Sequence, residues 1–307
     1  METQEEYELI ILGGGPAGLT AGLYAARNRV KALMIEKAMV GGLAVYAELI
    51  ENYPGFPSGI GGIELGQLMF QQAEKFGLKS LTAEVSGLEI KGERKIVKTS
   101  EGDLVARAVI IALGSERIQL GVPGEKEFLG KGVSYCATCD AAFFRNKDVA
   151  VVGGGNSAIS EALHLAKFAS RVSLVHRRDQ FRATRVFEER ARQEPKISFL
   201  TNSTVDSIEG KEFVENLQLN NVKTGAKTRL SLSGVFVAIG QRPNTAFLKG
   251  LLTCDPVGYI MVNEKMETNV PGVLAAGDIR ANSIRQTISA AGDGATAAMF
   301  ADRYLGQ

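Results

Sequence analysis

Leu9-Ile-Ile-Leu12, Gly13-Gly-Gly-Pro-Ala-Gly18 and the stretch from Leu19 to Arg27 decide the reading of this chain. Four apolar residues that stop at a glycine read as a buried strand, and the small and apolar residues beyond Gly18 read as a helix. Between them stands G-x-G-x-x-G. Placed after a strand and before a helix, its glycines serve a tight turn, close approach of backbone to a pyrophosphate, and close packing of helix on strand. The helix N-terminus adds free N–H groups and the positive end of its dipole. A second strand, Ala32-Leu-Met-Ile35, ends on Glu36. A carboxylate there accepts hydrogen bonds from a ribose 2'-OH and repels a 2'-phosphate, so this half suits FAD or NAD.

The pattern occurs twice. Val149-Ala-Val-Val152 leads into Gly153-Gly-Gly-Asn-Ser-Ala158, a helix expected through Ala169, and a strand Val172-Ser-Leu-Val175 that ends on His176. The two copies match position for position, but the second closes with the opposite charge: His176-Arg177-Arg178, followed by Arg182. Planar guanidinium groups bind phosphate by paired, charge-assisted hydrogen bonds, so the second half reads as an NADPH site rather than an NADH site. A plainer reading is an exposed basic helix, since Arg171 to Arg192 holds seven arginines. Nucleic acid is a poor partner for it, because no aromatic platform or base-reading motif accompanies the charge. No G-x-x-x-x-G-K-[ST] occurs, which removes a P-loop.

Composition bounds the rest. With 307 residues the chain is long enough for two domains, each with its own core. Lys+Arg is 35 against 34 for Asp+Glu, so no overall field marks a nucleic-acid or membrane binder. Glycine, at 35 residues, is in excess, and the nucleotide turns account for much of it. No apolar run is long enough to span a membrane. The segment Met1 to Glu8 is acidic, without the basic start of a signal peptide, and the three cysteines do not make a secreted disulfide framework. The expected location is the cytoplasm.

Two apolar runs, Val109-Ile-Ile-Ala-Leu-Gly114 and Val235-Phe-Val-Ala-Ile-Gly240, read as the closing strands of the two units. A third, Gly272-Val-Leu-Ala-Ala-Gly277, follows after the second unit has closed. If it returns to the first sheet, the first unit is discontinuous and the second is an insertion on two linkers, near residues 115–124 and 241–248. The expected architecture is α/β, with a first unit from 1–116 and 245–307 and an inserted unit from 117–244. Two such linkers allow rigid-body rotation.

Cys136-Ala-Thr-Cys139 sits in the inserted unit, followed by Asp140. Zinc needs four ligands, and Cys254, His164 and His176 do not supply a second paired motif. A redox dithiol is the better reading, since a helix N-terminus lowers a thiol pKa toward neutrality. Asp140 either moves the proton that thiol–disulfide exchange demands or caps the helix that follows. Cys254 is expected to be a small buried residue.

Several motifs together resemble the low-molecular-weight thioredoxin reductases, which are flavoprotein disulfide reductases. They are Gly13 to Gly18, Glu51-Asn-Tyr-Pro-Gly-Phe56, Cys136 to Asp140, Gly153 to Ala158, His176 to Arg182, Thr268-Asn-Val-Pro-Gly-Val-Leu-Ala-Ala-Gly-Asp278, and Arg285-Gln286 ahead of Ala290-Ala-Gly-Asp-Gly294. The resemblance implies two Rossmann-like domains, the NADPH domain inserted into a discontinuous FAD domain. FAD is then expected on Gly13, Gly15, Pro16, Ala17, Gly18, Glu36, Gly42, Gly114 and Gly277, with Asn52 near the flavin. Asp278 is expected at the ribityl chain, and Arg285 and Gln286 beside the ring system. NADPH is expected on Gly155, Asn156 and Ser157, with His176, Arg177, Arg178 and Arg182 about the 2'-phosphate.

The resemblance also implies a reaction. Hydride passes from NADPH to flavin, the flavin reduces the Cys136–Cys139 disulfide, Cys136 attacks thioredoxin, Cys139 is the thiol nearer the flavin, and Asp140 is the acid and base. The inserted domain rotates between half-reactions, and the protein is a homodimer without a metal. Rival readings keep the fold and dithiol with a donor such as ferredoxin or another disulfide protein as acceptor, or make the dithiol a non-catalytic redox sensor. Two departures from the family pattern stand out: Leu43, with Ala44 to Ala47, where the family has Gln and a Thr-rich stretch, and Ala141 in place of Gly. Leucine cannot replace an amide's hydrogen bonds, so flavin potential and donor rate are where this chain is expected to differ.

Overall fold

The computed structural model describes residues 6–47, 49–248 and 250–306, so residues 1–5 of the acidic N-terminal stretch lie outside it. The chain divides into two units, Met1–Glu116 with Arg242–Gln307, and Arg117–Gln241.

In chain order, the first unit opens with β1 (Glu6–Leu12), α1 (Pro16–Arg27), β2 (Ala32–Glu36), α2 (Gly62–Glu74), β3 (Lys79–Thr82), β4 (Val85–Lys91), β5 (Arg94–Thr99) and β6 (Gly102–Ile111). A linker strand, β7 (Ser115–Arg117), leads to β8 (Val133–Ser134), α3 (Ala137–Asp140), β9 (Asp148–Gly153), α4 (Asn156–Leu165), β10 (Arg171–Val175), α5 (Arg185–Gln193) and β11 (Ile197–Leu200). The second unit continues through β12 (Ser203–Gly210), β13 (Val214–Asn221), β14 (Lys227–Ser231) and β15 (Gly234–Ala238). A second linker strand, β16 (Gln241–Pro243), is followed by β17 (Val273–Ala275) and α6 (Thr287–Leu305).

The main sheet of the first unit has the order β3-β2-β1-β6-β5-β4. Strand β6 carries two partners on its far edge. β5 runs antiparallel along its first half, and β17 runs parallel along its second half, Val273 opposite Val109 and Ala275 opposite Ile111. The returning run Gly272 to Gly277 therefore completes the first sheet, and the unit is discontinuous. Alternation along β1 sends Leu9 and Ile11 into a core shared with α1 and α6, and Ile10 and Leu12 into a second core on the other face.

The second unit repeats the plan with a parallel sheet ordered β11-β10-β9-β15-β8. Val149 and Val151 of β9 pack with Ile159 and Leu165 of α4, while Ala150 and Val152 face the opposite core. There the antiparallel meander β12-β13-β14 supplies Val205, Leu217 and Leu219. Helix α4 stops at Leu165, short of Ala169. The N–H groups of Lys167 and Phe168 bond three residues back, to His164 and Leu165, and tighten the last turn out of α geometry. The basic stretch is not a continuous helix either, because only Arg185–Gln193 is helical and His176 to Thr184 is bend and coil. The two linker strands β7 and β16 pair with each other.

Candidate functional site

In the first turn Gly13 has φ +105, and a side chain there would meet the Ala112 carbonyl at 2.5 Å. Gly18 faces the Gly13 carbonyl so closely that no Cβ fits, which sets how near α1 lies to β1. Gly15 is extended and caps α1, with Pro16 in the first helical position, where its missing N–H is no loss. The Gly14 N–H donates to Glu36 Oε2 (2.7 Å) and the Ala38 N–H to Oε1 (3.0 Å), so the carboxylate is held at the end of β2. Gly42, at φ +57, brings its loop against Gly15. A Cβ added to Gly114 would meet nothing within 4 Å, leaving that strand end open.

The C-terminal part of the unit converges on the same place. Gly277, φ +78, lies against Ala17 and donates its N–H to Asp293, which also takes Arg280 on both oxygens at 2.6 and 2.9 Å. This buried pair was not anticipated from sequence; it ties the end of β17 to α6. Asp278 accepts from the Ser283 hydroxyl at 2.9 Å. The Asn52 amide donates to Gln286 Oε1 at 3.0 Å, joining two candidates far apart in sequence. Arg285 holds a left-handed backbone, φ +61, and its guanidinium bonds the Tyr259 hydroxyl at 3.2 Å while lying over that ring. Glycines that leave room, free amides at the start of α1 and a fixed carboxylate suit an adenine dinucleotide with flavin.

The second turn is built the same way. Gly153 faces the Ala238 carbonyl and Ala158, and Gly155 opens on nothing within 4 Å. Asn156 and Ser157 are exposed at the first turn of α4, and Asn156 Oδ1 accepts the Thr184 N–H at 2.8 Å. The Arg182 N–H donates to the Gly154 carbonyl at 2.7 Å, which fastens the basic loop over the turn. Arg177, Arg178 and Arg182 are exposed. His176 is not grouped with them: it is 6% exposed, stacked on Phe181, its Nε2 3.1 Å from the Gln180 carbonyl. Burial first, and then the three arginines, hold its pKa below the usual histidine value, so it is a neutral support for the loop.

The dithiol is a disulfide joining Cys136 to Cys139, with Cα atoms 5.3 Å apart. Cys136 caps α3, and its Sγ accepts the Cys139 N–H at 3.2 Å. The Cys136 N–H donates to Ser134 Oγ (3.1 Å), whose hydroxyl donates to Asp140 Oδ2 (2.6 Å). Burial raises the Asp140 pKa, opposed by the Ser134 hydrogen bond and by Arg117. Of the two roles open to Asp140, its side chain does not cap the turn Ala141–Phe144 that follows; it is engaged by Ser134. Ser134 was missed in sequence, although a hydroxyl two residues before a redox cysteine is a readable signal. Arg117, whose guanidinium lies 5.0 Å from the Tyr135 ring centre, was missed because a linker position gives none.

Cys254 corrects an expectation. It is exposed, since its segment runs along the surface in an isolated bridge to Ile260 rather than in a core strand. Among the described residues no three His, Cys, Asp or Glu side chains cluster as a metal would need, and no helix is long and apolar enough to cross a membrane.

A half-buried disulfide backed by a carboxylic acid, on a unit that also carries a dinucleotide turn, defines a nucleotide-dependent disulfide oxidoreductase. The chain belongs to the pyridine nucleotide-disulphide oxidoreductase family, whose model matches residues 7–294. It is 45% identical over 306 residues to a thioredoxin reductase of Bacillus subtilis, covering 99% of this chain and 96% of that protein. A bifunctional thioredoxin reductase/thioredoxin of Mycobacterium leprae is 47% identical over 98% of this chain, which spans 66% of that longer protein. The crystal structure of a thioredoxin reductase from Streptococcus pyogenes superposes with a TM-score of 0.95 at 42% identity, covering 99% of both chains.

Proposed function

We propose that this chain is an NADPH-dependent thioredoxin-disulfide reductase, passing electrons through FAD and the Cys136–Cys139 pair to the disulfide of thioredoxin. The observation that carries the reading is the Cys136–Cys139 disulfide with the Ser134–Asp140 hydrogen bond beside it. When bound, FAD accepts hydride from NADPH and supplies the electron pair that opens the disulfide.

The chain's own residues do the rest. Residues 1–116 with 245–307 hold FAD: the turn Gly13, Gly15, Pro16, Ala17 and Gly18 at the pyrophosphate, and Glu36 at the ribose. Gly42, Gly114, Gly277 and Asp278 line its course, and Asn52, Arg285 and Gln286 stand by the ring system. The two N–H groups on Glu36 orient the carboxylate and leave it lone pairs for ribose hydroxyls. Residues 117–244 hold NADPH: Gly155, Asn156 and Ser157 at the pyrophosphate, and Arg177, Arg178 and Arg182 at the 2'-phosphate, with His176 as packing beneath them. The exposure of the three arginines supports that role, since their guanidinium groups are open to a ligand.

In the dithiol form Cys136 attacks thioredoxin, the mixed disulfide forms, and Cys139 then attacks Cys136 Sγ to release the reduced partner. Asp140 gives a proton to the departing sulfur and takes one from the Cys139 thiol. The same two sulfurs must meet the flavin and later a protein. The inserted unit therefore turns on its two linkers between half-reactions. We place the protein in the cytoplasm as a homodimer; the family resemblance supports both.

The test compares donors on the purified yellow protein under anaerobic conditions and then adds thioredoxin with an insulin reporter. NADPH bleaches the flavin much faster than NADH, and Cys136→Ser abolishes thioredoxin reduction while NADPH still bleaches the flavin. Equal bleaching by the two donors would sink the arginine assignment, and thioredoxin turnover by the Cys136→Ser protein would sink the nucleophile.

A further inference from the structure

Glu125 has no part in the scheme above, yet its side chain is buried in the inserted unit, at 2% exposure. Three neutral donors satisfy it. The Gly121 N–H donates to Oε2 at 2.8 Å. The Leu120 N–H, at 2.8 Å, and the Tyr135 hydroxyl, at 2.7 Å, both donate to Oε1. A buried carboxylate is tolerated only while its donors stay in place, so it fixes their relative positions closely.

The donors come from two places in the unit. Leu120 and Gly121 end the first linker, and just ahead of them Ile118 gives its N–H to the Gly240 carbonyl at the foot of the second linker (3.1 Å). Beyond them the chain is fastened to the core. The Pro123 carbonyl accepts the Ile208 N–H of β12 at 2.9 Å, and Gly124, φ +85, lies so close to the Ile208 carbonyl that no Cβ fits. Tyr135 is the residue before Cys136. Its ring packs on the core that holds Val205 and Ile208, and the Arg117 guanidinium of the linker lies over it at 5.0 Å. Burial first, and then Glu125, push the Tyr135 pKa above the usual tyrosine value, so its hydroxyl keeps the proton it donates. Ser134 and Tyr135, the two residues ahead of the dithiol, are thus each held by a carboxyl group, Ser134 by Asp140 and Tyr135 by Glu125.

We propose that Glu125 positions the dithiol: by sharing Oε1 between the Leu120 N–H and the Tyr135 hydroxyl, it sets Cys136 in fixed register with the end of the linker, so that the sulfurs turn with the hinge as one piece. This rests on the disulfide-reductase reading. A unit that turns on linkers delivers its sulfurs only as accurately as the chain between hinge and sulfur is stiff, and a misplacement of about 1 Å can cost about 10²-fold in rate. Hydride transfer from NADPH to the flavin does not involve the sulfurs and is not affected. Glu125 acts through Tyr135 and is a positioning residue.

The experiment mixes the FAD-loaded protein anaerobically with one equivalent of NADPH and follows the flavin colour. The flavin bleaches as it takes the hydride and recolours as its electron pair opens the Cys136–Cys139 bond. In Tyr135→Phe, which removes a single oxygen, recolouring slows about tenfold while bleaching keeps its wild-type rate. Glu125→Gln shows the same split, because an amide cannot accept from all three donors, and hydrogen exchange at the Leu120 and Gly121 amides quickens. The double variant recolours no more slowly than Glu125→Gln alone, since both changes act through one bond. Wild-type recolouring in Tyr135→Phe, equal slowing of both colour changes, or a double variant slowed by the product of the two single effects overturns the proposal. Should Glu125→Gln not fold, the split in Tyr135→Phe decides alone. A wild-type protein that bleaches and never recolours overturns the disulfide-reductase reading itself, which separates the two failures.

Discussion

The two nucleotide units are built to one plan, and the positions at which they differ say more than the plan. Gly18 corresponds to Ala158, Ala21 to Glu161, and Glu36 to His176 in the two units. In the first turn a carboxylate at the end of β2 takes the Gly14 N–H; in the second a neutral ring fills the same space over Gly154, where any Cβ would strike it. The acid keeps 2'-phosphate away from the first turn. The ring cannot discriminate by charge, so in the proposed function discrimination in the second unit falls to the exposed arginines beyond it. On the proposed reading, selectivity is set by one residue in one unit and by a loop in the other.

The largest effect that can break this comparison comes from the loop. Arg177→Ala with Arg178→Ala should lower kcat/KM for NADPH by about 10²–10⁴-fold, since each charged hydrogen bond is worth about 1.5–3 kcal/mol, and should leave NADH turnover nearly unchanged. Steady-state kinetics with both donors check it, and an equal loss for the two would move the 2'-phosphate site elsewhere.

Next in size is the buried acid. The Glu161 pKa in the folded protein is raised from 4.5 to about 7, so the folded state holds the proton more tightly than the unfolded chain. Stability is then highest below the unfolded value and declines as pH rises to 7, by about 3 kcal/mol at about 1.4 kcal/mol per pH unit. Glu161→Gln should remove that decline, so that melting temperatures at pH 5 and pH 8 draw together. A pH dependence identical to wild type would place the titrating group elsewhere.

Sequence made the repeated turns legible because the backbone demands behind them admit few residue types. The same holds for the returning strand Val273–Ala275, whose apolar run ending in glycine needed a sheet to join. What sequence hid depends on tertiary placement. His176 reads as one more cation, yet Phe181 and the Gln180 carbonyl draw its ring inside. Arg117 sits in a linker and Glu161 in an amphipathic helix, where charge is ordinary, and only the fold buries the Glu161 carboxyl and brings the Arg117 charge to bear on Asp140. Cys254 was expected to be buried, as cysteine usually is, and proved exposed, because it lies in a loop bridged to Ile260 rather than in a core strand.

The third position of difference gives a paired prediction, with the smaller effects. At Gly18 a methyl group would run into the backbone carbonyl of Gly13, which cannot rotate away, so Gly18→Ala must separate α1 from β1. The expected loss is about 2–3 kcal/mol by overpacking, with release of FAD on gel filtration. Ala158 occupies the matching place in α4, fully buried, because its methyl fills the space above Gly153. Ala158→Gly therefore removes a packed methyl and frees the unfolded backbone, for about 1 kcal/mol in all, with NADPH affinity little altered. Thermal melts of both variants with dinucleotide titrations read the contrast. If Ala158→Gly were as damaging as Gly18→Ala, the second turn would depend on its helix packing as strictly as the first, and the contrast between the two turns would be wrong.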